Sequence, residues 1–235
     1  MVSIENQIAV VTGAGRGIGR AIAIELGKLN ANVVLAARGR AELEDAARVI
    51  GAKASVIPTD VRKKDELQRL FEQVAAALGP VDILVNSAGL GIFGPVVDFK
   101  DEDFETLIET NLRGIFFASK FVLPSMIERR RGHIINIASI AGKVGSANRA
   151  VYCASKFAVV GFTESLAEEV RQYGIRASVI CPGSTDTRFS GNEIAGKSRD
   201  RMLRPEDIAH AVRMIVTQEP NSFISEIIMR PTLKP

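Results

Sequence analysis

Short runs of β-branched and aliphatic residues recur along the chain, separated by longer stretches whose apolar positions return every three or four residues. The short runs are Ile8–Val11, Asn32–Ala36, Ser55–Ile57, Ile83–Val85, Ile134–Ile137, Ala177–Cys181 and Ile224–Ile228. Near-continuous hydrophobicity of this kind marks strands covered on both faces. The longer stretches, Ile18–Leu29, Ala41–Ile50, Lys63–Leu78, Asp103–Arg129, Ala150–Tyr173 and Pro205–Thr217, carry the helical period. Strand and helix alternating to the C-terminus predict an α/β protein with a seven-stranded, mostly parallel sheet and helices on both faces. No repeat or linker breaks the alternation, so residues 1–235 read as one domain. Only Arg188–Arg204, rich in Arg, Lys, Ser and Gly, follows neither pattern.

A parallel sheet binds its ligands beyond the carboxyl ends of its strands, near the point where strand order reverses. The chemistry is therefore expected just after each strand. After the first comes Thr12-Gly13-Ala14-Gly15-Arg16-Gly17-Ile18-Gly19, leading straight into a helix. Glycines there let the chain turn tightly and bring backbone N–H groups up to a pyrophosphate at the helix N-terminus.

Composition narrows the alternatives. Hydrophobic residues at 46% and charged residues at 24% exclude a disordered chain. Thirty Lys and Arg against 27 Asp and Glu leave +3, too little and too evenly spread for a nucleic-acid stripe. With no Trp and two Tyr, stacking surface for bases is scarce as well. No apolar run approaches the ~18 residues of a membrane span, and MVSIENQIAV lacks the pattern of a leader. These features predict a cytoplasmic protein with Cys153 and Cys181 as packed, reduced thiols. His133 and His210 have no partners at ligand spacing, so no metal is expected.

Tyr152 and Lys156 stand four residues apart on a predicted helix and share one face. A tyrosine ordinarily ionises near pH ~10, and lowering that by about three pH units takes ~4 kcal/mol. One ammonium at ~4 Å in an effective dielectric of ~20 supplies roughly that amount. Ser139, at the end of a strand, precedes the pair.

These motifs together resemble the short-chain dehydrogenase/reductase family. The resemblance runs over nearly the whole chain: the TGxxxGxG spacing, Asn86-Ser87-Ala88-Gly89, Asn111, Ser139, Tyr152-Cys153-Ala154-Ser155-Lys156, and Pro182-Gly183 followed by Thr187. It implies a doubly wound Rossmann fold and hydride transfer between a nicotinamide cofactor and a carbonyl or alcohol. It also implies roles. Tyr152 would exchange the proton with the carbonyl oxygen, Ser139 would orient that oxygen, and Lys156 would lower the Tyr152 pKa and hold the nicotinamide ribose. Asn111 would anchor a water linking Lys156 to solvent. The cofactor would lie along Gly13, Gly15, Arg16, Gly17, Ile18 and Gly19, with Asp60 and Val61 at the adenine. Asn86, Ala88 and Gly89 would form the turn beside it, although most relatives carry Asn where this chain has Ser87. Pro182, Gly183, Thr185 and Thr187 would sit by the nicotinamide carboxamide. An NAD enzyme of the family places a carboxylate at the end of the second strand, where this chain has Ala37, followed by Arg38. Arg38 and Arg16 suit a 2′-phosphate, so the expected cofactor is NADP(H).

The overall look is closest to 3-oxoacyl-acyl-carrier-protein reductases, with reductases of other small ketones, steroids, sugars or pterins as the alternative. Residues 188–204 fall where the family folds a lid over the substrate. They hold five cations, Arg188, Lys197, Arg199, Arg201 and Arg204, against Glu193 and Asp200. Such a rim, joined by Arg129–Arg131, would attract an anionic acyl-carrier protein or CoA thioester. Arg129–Arg131 also close a long helix, where cations complement the dipole. Phe116, Phe117 and Phe121 read as core or subunit interface. The stretch Ala150–Tyr173 is apolar on more than one side, which predicts burial by a partner subunit in a homotetramer or homodimer.

Overall fold

The computed structural model describes residues 2–187, 189 and 198–235. Seven strands form one sheet: β1 (Ile8–Thr12), β2 (Asn32–Ala37), β3 (Ala54–Pro58), β4 (Ile83–Asn86), β5 (Gly132–Ile137), β6 (Ile175–Pro182) and β7 (Glu226–Met229). Their order is β3-β2-β1-β4-β5-β6-β7, and every pairing is parallel, β7 included. The order reverses between β1 and β4, where Thr12 pairs with Ala36 on one side and Asn86 on the other. That switch point fixes where a ligand can enter.

Helices α1 (Gly17–Lys28), α2 (Arg40–Ile50) and α7 (Pro205–Val216) cover one face, burying Ile22, Leu26, Leu43, Ile208 and Val212 against the sheet. On the other face lie α3 (Lys64–Ala77), α5 (Gly114–Arg129) and α6 (Ala150–Val170), with Leu67, Leu70, Val122, Met126 and Leu166. At ~1.5–3 kcal/mol for each large side chain, these two layers supply the main driving force for folding. No described helix is long and apolar enough to cross a membrane.

The expected helix over 103–129 is in fact two. α4 (Asp101–Ile108) and α5 are joined by a π-turn at Glu109–Arg113. Its Asn111 is fully buried, and both amide hydrogens are spent, on the Leu90 carbonyl at 2.9 Å and on Ser155 Oγ at 3.1 Å. Asn111 Oδ1 accepts from Leu90 N at 2.9 Å. A helix that must offer this side chain to the strand-end loop accommodates one extra residue in its turn. The helix over 150–173 likewise ends at Val170, and a 3₁₀ turn to Tyr173 stops at Gly174 with φ +72°.

The Arg129–Arg131 group lies away from the rim proposed from the sequence. Arg129 and Arg131 both bond to Asp82 Oδ1 at 2.7 Å, and Asp82 Oδ2 accepts from Ile8 N at 3.0 Å. Asp82 precedes β4, so the cluster sits at the amino ends of the strands, opposite the switch-point cleft. These arginines tie α5 to the sheet.

Candidate active site

A cavity of about 830 Å³ opens over the carboxyl ends of the strands. Its lining takes in all the candidate residues except Asn86 and Asn111. The glycine loop forms its floor. Gly13 has φ +69°, and a Cβ there would lie 2.8 Å from Ala88 N and Cα, so only glycine lets this turn close on the end of β4. Ser87 and Ala88 backbone N–H groups donate to Thr12 Oγ1, both at 3.2 Å. The loop therefore closes without an Asn at position 87. Arg16, at the N-cap of α1, gives no side-chain cap, and the first turn has no acid. The helix thus presents open N–H donors and positive dipole to the cavity, the donor set a pyrophosphate needs.

At the end expected to take the adenosine, Arg16 and Arg38 line the cavity and are exposed. Asp60 is held by Arg62, which the sequence reading missed. Arg62 donates from NH2 to Oδ2 at 2.7 Å, from Nε to both oxygens at 3.1 Å and from its backbone N to Oδ1 at 3.0 Å. The side-chain hydrogen bonds of Arg62, with a lesser attraction from Arg38, hold the Asp60 carboxyl below the usual carboxylate range despite its burial. The signal was a cation two residues beyond the acid, within reach of an Asx-type turn.

The catalytic candidates meet on α6 and β5. Tyr152 is 6% exposed, and Lys156 Nζ lies 6.0 Å from its ring centroid. Lys156 Nζ donates to the Ile137 carbonyl at 3.1 Å, at the end of β5. Burial pushes the lysine down to about 8, an effect that the nearby Cys181 offsets only in part. Ser139, just past β5, accepts from Ala141 N at 3.1 Å and so caps a short 3₁₀ turn. Tyr152, Lys156 and Ser139 all line the same cavity.

Asn86 and Asn111 act from behind this surface. Asn86 Nδ2 donates to Asn136 Oδ1 at 2.8 Å, and Asn136 Nδ2 to Thr163 Oγ1 at 2.9 Å. That chain links the end of β4 through β5 to α6 beneath the cavity floor. Asn111 clamps the Leu90 backbone, as described above.

The substrate side is mostly apolar. Phe93 meets Tyr152 edge-on at 5.2 Å, Phe189 lies 6.1 Å from the Tyr152 ring, and Leu90 and Met202 add to the wall. The Arg149 guanidinium lies 5.0 Å over the Phe93 ring. Arg149 is the N-cap residue of α6, three residues before Tyr152, a proximity available in the sequence; Phe93 carried no such signal. Thr187 Cγ2 would lie 3.3 Å from a Cβ on Gly17, so the loop after β6 covers the glycine loop. Thr185 pairs with Leu203, and Asp186 N donates to the Leu203 carbonyl at 2.8 Å, joining the two roots of the expected lid. Of the lid itself, Arg188 and residues 190–197 lie outside the described residues; Arg199–Arg201 form an exposed 3₁₀ turn.

A reversed strand order, an uncapped glycine-rich helix N-terminus and a Ser-Tyr-Lys group over one cleft define a dinucleotide-dependent oxidoreductase site. Comparison with known proteins makes this specific. The short chain dehydrogenase family model matches residues 7–198. An uncharacterized oxidoreductase of Staphylococcus aureus (strain MRSA252) is 37% identical over 232 residues, 98% of this chain and all of that one. A counterpart in Staphylococcus saprophyticus is 38% identical over 235 residues, again 98% of this chain and all of that one. Among solved structures, a metagenomic short-chain oxidoreductase in complex with NADP superposes with a TM-score of 0.87 at 42% identity, covering 99% of this chain and all of that one. The closed form of a serine dehydrogenase complexed with NADP+ gives 0.89 at 30% identity, over 95% of this chain and 94% of that one. The chain belongs to the short-chain dehydrogenase/reductase family.

Proposed function

We propose that this enzyme is an NADPH-dependent reductase of a ketone, carrying the proton on Tyr152. The protein is an NADP-dependent oxidoreductase acting on CH–OH and C=O groups, and its residues fit that cofactor. Gly13, Gly15 and Gly17 leave room for the backbone to approach the pyrophosphate, and Arg16 and Arg38 supply charge for the 2′-phosphate. Thr185, Thr187 and Lys156, which line the same cavity, would hold the nicotinamide end. When bound, NADP(H) supplies or accepts the hydride.

The chain's own residues do the rest. The buried Lys156 ammonium lowers the cost of ionising Tyr152, so the phenol can give its proton to the carbonyl oxygen and regain it from solvent. Ser139 Oγ, fixed by its cap on Ala141, offers a second hydrogen bond to that oxygen. Leu90, Phe93, Phe189 and Met202 exclude water from the reacting carbon. The observation that carries this reading is the convergence of Tyr152, Lys156 and Ser139 on the cavity that the glycine loop floors.

Within the ketones, a 3-oxoacyl thioester is the substrate the sequence favours, delivered by an acyl-carrier protein or CoA. Exposed Arg199, Arg201 and Arg204 beside Met202 support it, as they would attract an acidic carrier. The setting is the cytoplasm, which suits two free, buried cysteines; burial and Glu226 push the Cys181 thiol up to about 11, keeping it inert.

The test is NADPH oxidation over a panel of neutral ketones and acetoacetyl thioesters. Tyr152→Phe should fold and bind NADPH as the wild type does and lose at least ~10²-fold in turnover. Retention of more than about a tenth of wild-type turnover would remove Tyr152 from the mechanism. A carrier-linked substrate should lose kcat/KM as salt rises while a neutral ketone stays level. A carrier substrate that is inert, or whose rate is flat with salt, would move the assignment to a generalist ketone reductase.

A further inference from the structure

Glu42 stands in the corner of the cavity that Arg16 and Arg38 also line. It is the third residue of α2, and its carboxylate leans back over the end of β2. A Cβ on Gly15 would lie 3.1 Å from Glu42 Cβ, 3.2 Å from its Oε2 and 3.9 Å from Ala37 Cβ. One on Gly39 would lie 3.1 Å from the same Oε2. This oxygen therefore sits between the glycine loop and the carboxyl end of β2. The acids next along the helix are otherwise engaged, Glu44 with Arg40, and Asp45 with Arg20 and Arg48. Glu42 itself is exposed and makes no ion pair among the described residues.

In a sheet of this topology, the end of the second strand is where the adenosine ribose shows its 2′ substituent. NAD(H) carries a hydroxyl there, and NADP(H) carries a phosphate. A carboxylate accepts a hydrogen bond from the first and repels the second. Ala37, at the strand end itself, can do neither.

We propose that Glu42 is a cofactor-specificity residue that opposes Arg16 and Arg38. It accepts from the 2′-hydroxyl of NAD(H) and holds the preference for NADP(H) below what the two arginines alone would set. This rests on the reading of Arg38 as a phosphate ligand, which the experiment tests on a separate arm. The position also suits a capping role, since an acid at this place can reach back to the helix N-terminus. Gln caps as Glu does, so Glu42→Gln removes the charge and spares the helix.

Calorimetric binding of 2′,5′-ADP and 5′-ADP tests the proposal without turnover. Glu42→Gln should tighten 2′,5′-ADP about tenfold, the effect of removing one nearby charge from a dianion in a largely solvated corner. Binding of 5′-ADP should stay level or weaken. Glu42→Ala should move the ratio in the same direction. A ratio within twofold of wild type in both variants, or weaker 2′,5′-ADP binding, overturns the proposal. Arg38→Leu should weaken 2′,5′-ADP alone; if it does not, the Arg38 reading fails, and the role of Glu42 stands or falls on its own ratio.

Discussion

At the scale of single residues, the site sets function against stability most clearly at Lys156. The residue is 3% exposed, its ammonium donates to the Ile137 carbonyl, and burial lowers its pKa from the ordinary 10.5 to about 8. At about 1.36 kcal/mol per pH unit, the fold gives up about 3 kcal/mol to keep this charge at neutral pH. The cost is present in full below pH ~8. Between about 8 and 10.5 the folded protein has released a proton that the unfolded chain still holds, so this contribution to stability improves as pH rises through that window. Lys156→Met keeps the volume and removes the charge. It should raise the unfolding free energy at pH 7 by about 1–3 kcal/mol, part of the gain being offset by the lost bond to Ile137. The advantage should shrink toward pH 10, while turnover falls at least ~10²-fold. Denaturant titrations at pH 7 and pH 10 read this directly, and a variant less stable than wild type at pH 7 would contradict the account. The pairing of Tyr152 with Lys156 was legible from a four-residue spacing. Arg62 left a signal too, two residues after Asp60; Glu42 left none, because an exposed charge on a helix looks like any other until the fold turns it into the cleft.

At the scale of elements, the strand pattern was legible because buried parallel strands have no polar face to confuse the signal. The break between α4 and α5 was not, since Asn111 makes its bonds to Leu90 and Ser155, 21 and 44 residues away. Sequence periodicity carries no information on such partners. The same limit misplaced Arg129–Arg131, whose role depends on Asp82. Burial drives the Asp82 carboxyl up, but the Ile8 N–H and the two guanidinium groups outweigh it and hold it below the ordinary value. Asp82 therefore stabilises the fold above the ordinary carboxylate range, and that stability is lost as pH falls through its lowered value. Asp82→Asn should cost about 1–3 kcal/mol at pH 7 by weakening the tie between β1, β4 and α5. The gap to wild type should narrow toward pH 3, and turnover should be unchanged because the cluster faces away from the cleft. Loss of activity in a folded Asp82→Asn protein would show that the two ends of the sheet are coupled.

At the scale of the whole molecule, α6 carries Tyr152 and Lys156 on a buried side and an apolar stripe on the opposite one. Ala154, Phe157 and Gly161 follow one another at three- and four-residue spacing, and all three are exposed. Phe157 is 45% exposed, and a side chain added at Gly161 would meet nothing within 4 Å. On α5, Phe116 is 43% exposed and touches Phe162 of α6 at 6.5 Å, extending the patch across both helices. A folded chain keeps such a surface in water at a cost, and a second copy placing the same helices against it removes that cost on both sides. The helix that holds the proposed catalytic pair would then be packed on every side, which would fix the distance between Tyr152 and the glycine loop. Light scattering at micromolar concentration should show a homodimer or homotetramer. Phe157→Asp combined with Gly161→Arg should give a folded monomer, since neither side chain is buried in the chain itself. A wild type that is already monomeric would refute this assembly. If the monomeric variant keeps full kcat, the chain alone holds α6 rigid; a loss of several-fold in kcat with cofactor affinity unchanged would show that the partner helps position Tyr152.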